Sequence, residues 1–265
     1  MRTAAMKDIL EELTAARRAD AAAREAEIPF AEMVRLAGAA PAPKDFAAAF
    51  AGPGTHVIAE LKRASPSEGM IREDFRPVEL ARGLEAAGAA ALSVLCEPHR
   101  FLGSEEYLKE VRRNVALPIL YKDFVSTRYQ IAAARAAGAD AVLLIAAVLD
   151  DAALAGLLGF AHDFGLTALV ETHDADEIAR AVAAGARIVG VNCRNLRNFS
   201  TDVSLLERLV GEIPAKCVRI AESGMHCAEA IARAKAAGAD GFLVGTALMR
   251  APSPGEKLKE LLTNN

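Results

Sequence analysis

Ala-Gly-Ala occurs four times in this chain, at residues 87–89, 137–139, 184–186 and 237–239, each time just before a short apolar run. The glycines, Gly88, Gly138, Gly185 and Gly238, recur about every 50 residues. A glycine between an Ala/Leu-rich stretch and an apolar run sits where a helix ends, because without a Cβ the chain can turn through a left-handed conformation. About 50 residues is the length of two strand–helix units with ordinary loops. Four double units require eight strands. Eight apolar runs are present: Val57–Leu61, Ala90–Leu95, Pro118–Tyr121, Ala141–Ile145, Ala168–Val170, Ile188–Val191, Val218–Ala221 and Gly241–Val244. None alternates apolar with polar residues, the pattern of strands covered on both faces. Helical stretches such as Val78–Ala87, Thr127–Ala137 and Asp151–Phe164 separate them. This order favours an α/β fold, a closed (β/α)8 TIM barrel, over an open doubly wound sheet, and no Gly-x-Gly-x-x-Gly fingerprint points to a dinucleotide fold.

Residues 1–50 differ. Ile9, Leu10 and Leu13, then Phe30, Met33 and Leu36, recur at helical spacing, punctuated by Pro29, Pro41 and Pro43. This stretch is too short and polar to be a domain, so it is expected to be an N-terminal helical extension packed on a catalytic barrel at 51–265. A net charge of −4 argues against a nucleic-acid surface. No apolar run approaches the ~18–20 residues of a membrane helix, and the first residues lack an apolar signal core. A cytoplasmic protein without a membrane partner is expected. Cys96, Cys193, Cys217 and Cys227 form no Cys-x-x-Cys pair, and the five histidines show no ligand spacing, so no metal is expected.

In a barrel of this kind the site lies at the C-terminal ends of the strands. Strand one ends in Glu60 and Lys62, two opposite charges at i and i+2 and therefore on one face. Alone, they could form a structural salt bridge. The other ends supply Cys96, Glu97 and Phe101; Lys122, Asp123 and Phe124; Glu171; Asn192 and Arg194; Glu222, Ser223 and Gly224; and Gly245 and Thr246. Strand four offers nothing polar until Asp150. Lysines, an arginine and glutamates converging on one rim are expected to perturb one another's pKa values, a mark of active sites. The loops after strands seven and eight combine glycine with a hydroxyl, which suits phosphate, and Ser65 could add a hydroxyl. Milder readings suffice for Asp123 as a helix cap, for Cys96, Glu97 and Cys193 as rim lining, and for His173-Asp174 as a helix start capped by Asp174. The residues thus describe an enzyme acting on a small phosphorylated molecule by lysine acid–base chemistry.

The segment Glu60-Leu-Lys-Arg-Ala-Ser-Pro-Ser-Glu-Gly69 resembles the first-strand signature of the indole-3-glycerol phosphate synthase family. Similar matches follow at Phe101, Gly103-Ser104 and Tyr107-Leu108; Leu120–Phe124; Gly138–Ile145; Leu169–Asp174; Gly190–Leu196; Glu222–Gly224; and Phe242–Met249. The resemblance spans essentially the whole chain. It implies ring closure, decarboxylation and dehydration of 1-(2-carboxyphenylamino)-1-deoxyribulose 5-phosphate to indole-3-glycerol phosphate, a step of tryptophan biosynthesis needing no cofactor.

By the same resemblance, Lys122 is the acid at the ketone oxygen, with a pKa expected to be lowered by burial and nearby cations. Lys62 holds the substrate carboxylate. Glu171 and Glu60 match the family carboxylates for dehydration, in which Lys62 could also act. Asn192 and Arg194 orient substrate and lysine, and Glu222 holds a substrate hydroxyl or a lysine. Phe101 and Phe124 seat the anthranilate ring. Ser65, Ser223, Gly224, Gly245 and Thr246 hold the phosphate. Ala221, Tyr121 and Cys193 depart from common family residues without removing a catalytic match. The length leaves no room for a fused second barrel, and a monomer is expected. A phosphoribosylanthranilate isomerase would instead need a Cys/Asp pair ending strands one and four, and a catalytically silent barrel would not need the full set of charges.

Overall fold

A computed structural model describes residues 4–194 and 203–263. Eight parallel strands close into a barrel: β1 (His56–Leu61), β2 (Ala91–Leu95), β3 (Ile119–Lys122), β4 (Ala141–Ile145), β5 (Thr167–Thr172), β6 (Ile188–Asn192), β7 (Val218–Glu222) and β8 (Gly241–Val244). Each strand pairs with its sequence neighbours, and β8 closes on β1 with His56 opposite Gly241. The TIM barrel expected from the repeat is the observed fold.

The Ala-Gly-Ala repeat has a local cause. After α3 (Pro77–Ala86), Ala87 caps the helix, Gly88 takes a φ of 95°, Gly88 N donates to Glu85 O and Ala89 N donates to Leu84 O. This paired closure satisfies the last carbonyls of the helix. It recurs at Gly138, Gly185 and Gly238 after α5 (Arg128–Ala136), α7 (Ala175–Ala183) and α9 (Ala228–Ala236). The alanine after each glycine is buried. α6 (Asp151–Asp163) ends the same way with Phe164-Gly165-Leu166, a version the Ala-Gly-Ala pattern does not reveal.

Both strand faces are covered. Outward residues such as Val57, Leu92, Tyr121, Val142 and Val170 pack against the surrounding helices. Inward residues Ile58, Ala91, Leu120, Ala141, Leu143, Leu169, Ile188, Ile220 and Leu243 fill the interior. A 3-10 turn at Ala47–Phe50 plugs the N-terminal mouth, where a Cβ on Gly241 would lie 2.6 Å from the Phe50 ring.

The extension does more than pack on one side. α2 (Phe30–Ala39) lies against α5, with Met33 and Ala37 packed among Tyr129, Ala132 and Ala133. α1 (Ala4–Glu27) crosses the C-terminal mouth, and its Leu13 joins the interior cluster. Arg17 fastens it there: Nε donates to Asp123 Oδ1 at 2.9 Å and Nη2 to Oδ2 at 2.7 Å. Asp123 is therefore not a helix cap. Its buried carboxylate also accepts from Phe124 N and Tyr121 OH, while Thr127 and Gln130 form the capping box of α5. Glu105, the other acceptor of Tyr121 OH, pairs with Arg24 of α1. Removing one member of a buried pair strands the other, so Arg17→Ala is expected to lower unfolding free energy by about 3 kcal/mol in urea denaturation. Adding Asp123→Asn should restore part of that loss; no recovery would mean that Arg17 acts by packing alone.

Candidate active site

The i, i+2 rule places the functional side chains. On each strand the last inward position and the one two residues beyond it face the C-terminal mouth. These positions are Glu60 and Lys62, Lys122 and Phe124, Asn192 and Arg194, and Glu222 and Gly224. Strand β4 offers only Leu143 and Ile145. Every residue given a role at the site lines one cavity of about 550 Å³, whereas Cys96 and Cys193 are buried in the core with the outward strand residues and do not line it.

The cavity has unlike halves. Phe101 and Phe124, with ring centroids 6.2 Å apart, form an apolar wall with Leu95, Leu143 and Ile145, and Ile9, Leu10 and Leu13 of α1 complete it. Phe101 is held by Glu97, whose buried carboxylate accepts the backbone N–H groups of His99, Arg100 and Phe101 at 2.7–2.8 Å. Glu97 thus organises its loop rather than lining the rim.

The other half is charged. Lys122 Nζ donates to Glu171 Oε2 at 2.9 Å and Glu222 Oε2 at 3.1 Å, and Lys62 Nζ lies 2.7 Å from Glu60 Oε2. All three glutamates are buried. Burial opposes the charged form of Lys122, but Glu171, Glu222 and Glu60 outweigh it and raise its pKa. The expected lowering is therefore reversed, because the charges around this lysine are carboxylates rather than cations.

The carboxylates differ. Burial pushes Glu222 up to about 8, with Lys122 pulling the other way and Glu171 adding to the rise. Glu171 is held well below the usual carboxylate range: burial opposes this, but Lys122 and His173 prevail. Glycine makes room for the arrangement. A Cβ on Gly190 would stand 2.0 Å from Glu222 Oε1, and one on Gly245 would stand 2.2 Å from Glu60 Oε2.

Asn192 ties the two sides together. Its Nδ2 donates to Glu171 Oε1, while its Oδ1 accepts from Ser223 Oγ and Arg194 N. The Ser223 hydroxyl is thus committed to Asn192. Ser223 and Gly224 have left-handed φ values of 68° and 75°, so this loop turns sharply beside Gly245 and Thr246, where α10 (Thr246–Arg250) begins. Arg194 turns to the loop after β1, donating to Ser67 Oγ at 2.8 Å, and Arg250 pairs with Glu68 of that loop. Ser65 accepts Glu68 N and lies 3.3 Å from Ser67 Oγ within a two-stranded ribbon, Ala64–Ser65 against Gly69–Met70. Asn195 and Leu196, at the end of the strand-six signature, lie outside the described residues. Asp174 caps α7 as expected, accepting from Glu177 N.

Sequence reasoning missed two contributions. Ile9 and Leu10 were legible as an apolar stripe, but their destination was not. His173 stands two residues beyond Glu171 and so obeys the rule that paired Glu60 with Lys62. Its Nε2 lies 3.4 Å from Glu171 Oε1 and its Nδ1 3.1 Å from Glu177 Oε2.

Comparison with known proteins adds two findings. A family model described as indole-3-glycerol phosphate synthase matches residues 10–261. Proteins of that name from Micrococcus luteus and Albidiferax ferrireducens are 48% and 44% identical; the alignments cover 95% and 97% of this chain and 96% and 98% of those proteins. Among solved structures, a mutant tryptophan synthase alpha-subunit from Pyrococcus furiosus superposes with a TM-score of 0.60 at 15% identity, covering 79% of this chain and 98% of that one. A thiamine phosphate pyrophosphorylase from Pyrococcus furiosus gives 0.59 at 18% identity, covering 78% and 93%. These two structural likenesses speak to the fold alone.

Proposed function

The chain belongs to the indole-3-glycerol phosphate synthase family, and from that premise we propose how its rim performs the reaction. The enzyme is a carboxy-lyase of tryptophan biosynthesis. It closes the indole ring of 1-(2-carboxyphenylamino)-1-deoxy-D-ribulose 5-phosphate, releasing CO2 and water. The observation that carries the assignment is a pair of lysines, each pinned by carboxylates, between an aromatic wall and two glycine loops.

The anthranilate ring lies against Phe101 and Phe124, and Gly224, Gly245, Thr246 and the Ser223 backbone cradle the phosphate with Ser65. Lys62 holds the substrate carboxylate. The ring carbon bearing that carboxylate attacks the ribulose ketone, and the carbonyl electrons move to oxygen, which takes a proton from Lys122. An alkoxide is a stronger base than an amine, so even a firmly held lysine proton transfers downhill, and the ammonium stabilises the growing negative charge beforehand. Loss of CO2 returns the carbon–carbon bond pair to the ring. Glu171, held ionised, removes the proton needed for dehydration, and Lys62, steadied by Glu60, protonates the departing hydroxyl. Glu222, with its raised pKa, donates to a substrate hydroxyl. Two carboxyls with separated pKa values suit such divided roles. Asn192 orients Glu171, while Arg194 holds the loop that carries Ser65.

Residues 1–50 serve as an extension that completes the site of the barrel at 51–265. We read the enzyme as a cytoplasmic monomer with a small phosphorylated substrate and no nucleic-acid partner; among the described residues no helix is long and apolar enough to cross a membrane. Purified protein given the substrate should generate indole fluorescence without added metal or cofactor. Folded protein that forms no indole product would sink the assignment.

A further inference from the structure

Glu171 and Glu222 reach one ammonium, Lys122, at nearly equal distances, 2.9 and 3.1 Å. One cation cannot neutralise two buried carboxylates, so something else must decide which keeps its charge. The asymmetry lies behind Glu171. His173 leaves the end of β5 on the same face as Glu171, with its ring between two carboxylates: Nδ1 is 3.1 Å from Glu177 Oε2, and Nε2 is 3.4 Å from Glu171 Oε1. Nε2 is buried and makes no hydrogen bond among the described residues, so the Glu171 carboxylate, at 3.4 Å, is a charge it meets through space rather than through a hydrogen bond. Glu177 is itself fixed: its backbone N–H is capped by Asp174, and its Oε2 accepts His173 N at 2.8 Å.

We propose that His173 is a positioning residue of the ring-closure reaction: as an imidazolium anchored by Glu177, it assigns the negative charge to Glu171 rather than Glu222. This rests on the reading of Glu171 as the base. The charged groups facing the imidazole are Glu171 of β5 and Glu177 of α7, while Lys122 of β3 and Asn192 of β6 hold Glu171 from its other side. Burial disfavours the imidazolium, but Glu171 and Glu177 raise it to about 10, so it persists through the neutral range. The row Glu177–His173–Glu171–Lys122–Glu222 alternates in sign throughout, but its two ends differ: Glu177 is tied down by the start of its helix, whereas Glu222 pairs with no second cation among the described residues. That member can hold a proton while Glu171 stays bare.

The test is the pH profile of kcat/KM. Without its cation, Glu171 is easier to protonate, so H173Q should move the acidic limb upward by about one unit or more. A uniform loss at every pH with the limb in place would overturn the proposal, since it marks a purely structural role. E177Q provides an independent arm if H173Q does not fold. Removing the anchoring carboxylate lets the imidazolium deprotonate at lower pH, so activity should decline earlier on the alkaline side; an unmoved alkaline limb counts against the proposal. E171Q separates the two levels. An inactive E171Q beside an unshifted H173Q rejects only the role of His173, whereas an active E171Q rejects the base assignment beneath it.

Discussion

Lys122→Ala is expected to lower kcat on the order of 10⁴-fold, the upper end of what a positioned acid contributes, while a phosphorylated product analogue still binds. The size follows from geometry. Lys122 is the group that reaches both Glu171 and Glu222, so its loss removes the ketone acid and takes from the two buried carboxyls the ammonium they share. Without that ammonium Glu171 is easier to protonate, so the base is bare in a smaller fraction of molecules. Binding should survive because the phosphate loops lie on other strands and Phe124, at the end of the same strand as Lys122, keeps its contact with Phe101. Single-turnover kinetics would separate the two effects from binding, and near-normal turnover in this variant would refute the acid role of Lys122.

Gly245→Ala should cost on the order of 10²-fold in kcat/KM with little change in melting temperature. The added methyl would stand 2.2 Å from Glu60 Oε2 and 3.1 Å from Lys62 Nζ, so the pair must move to admit it. The φ of Gly245 is −122°, outside the left-handed region, so the backbone does not itself demand glycine. Its role is to leave space where the phosphate loop passes the first catalytic pair. Both the grip on the substrate carboxylate and the dehydration step would suffer. Steady-state kinetics on the folded variant decide the matter: wild-type values would show that Glu60 and Lys62 can relocate without harm.

The barrel was legible because its signals are local. Four glycines mark helix ends, and eight apolar runs mark strands. Knowing that sites gather at strand ends turns a one-dimensional sequence into a ring of candidates, which is why Glu60, Lys122, Glu171 and Asn192 could be placed together. What stayed hidden depends on distant partners. Asp123 sits where a cap is plausible, yet Arg17, 106 residues earlier, claims its carboxylate. The direction of the Lys122 pKa was misjudged because strand-end residues show which charges are near but not which lie nearest. Ser223 carried a hydroxyl in a glycine loop, and only the fold shows that hydroxyl given to Asn192. His173 was within reach, since position 173 shares the face of 171, but its place before a helix cap favoured the milder reading.

The helix laid across the C-terminal mouth also orders events during synthesis. α1 is translated ahead of the barrel strands, but Asp123 and Glu105, which fasten it, emerge some hundred residues later. Closing so long a loop carries an entropic cost that only the assembled second and third strand–helix units can offset. α1 therefore docks only after those units have formed. Until it does, the barrel can close while its aromatic pocket still lacks one wall, so the acquisition of catalytic competence trails the acquisition of the fold.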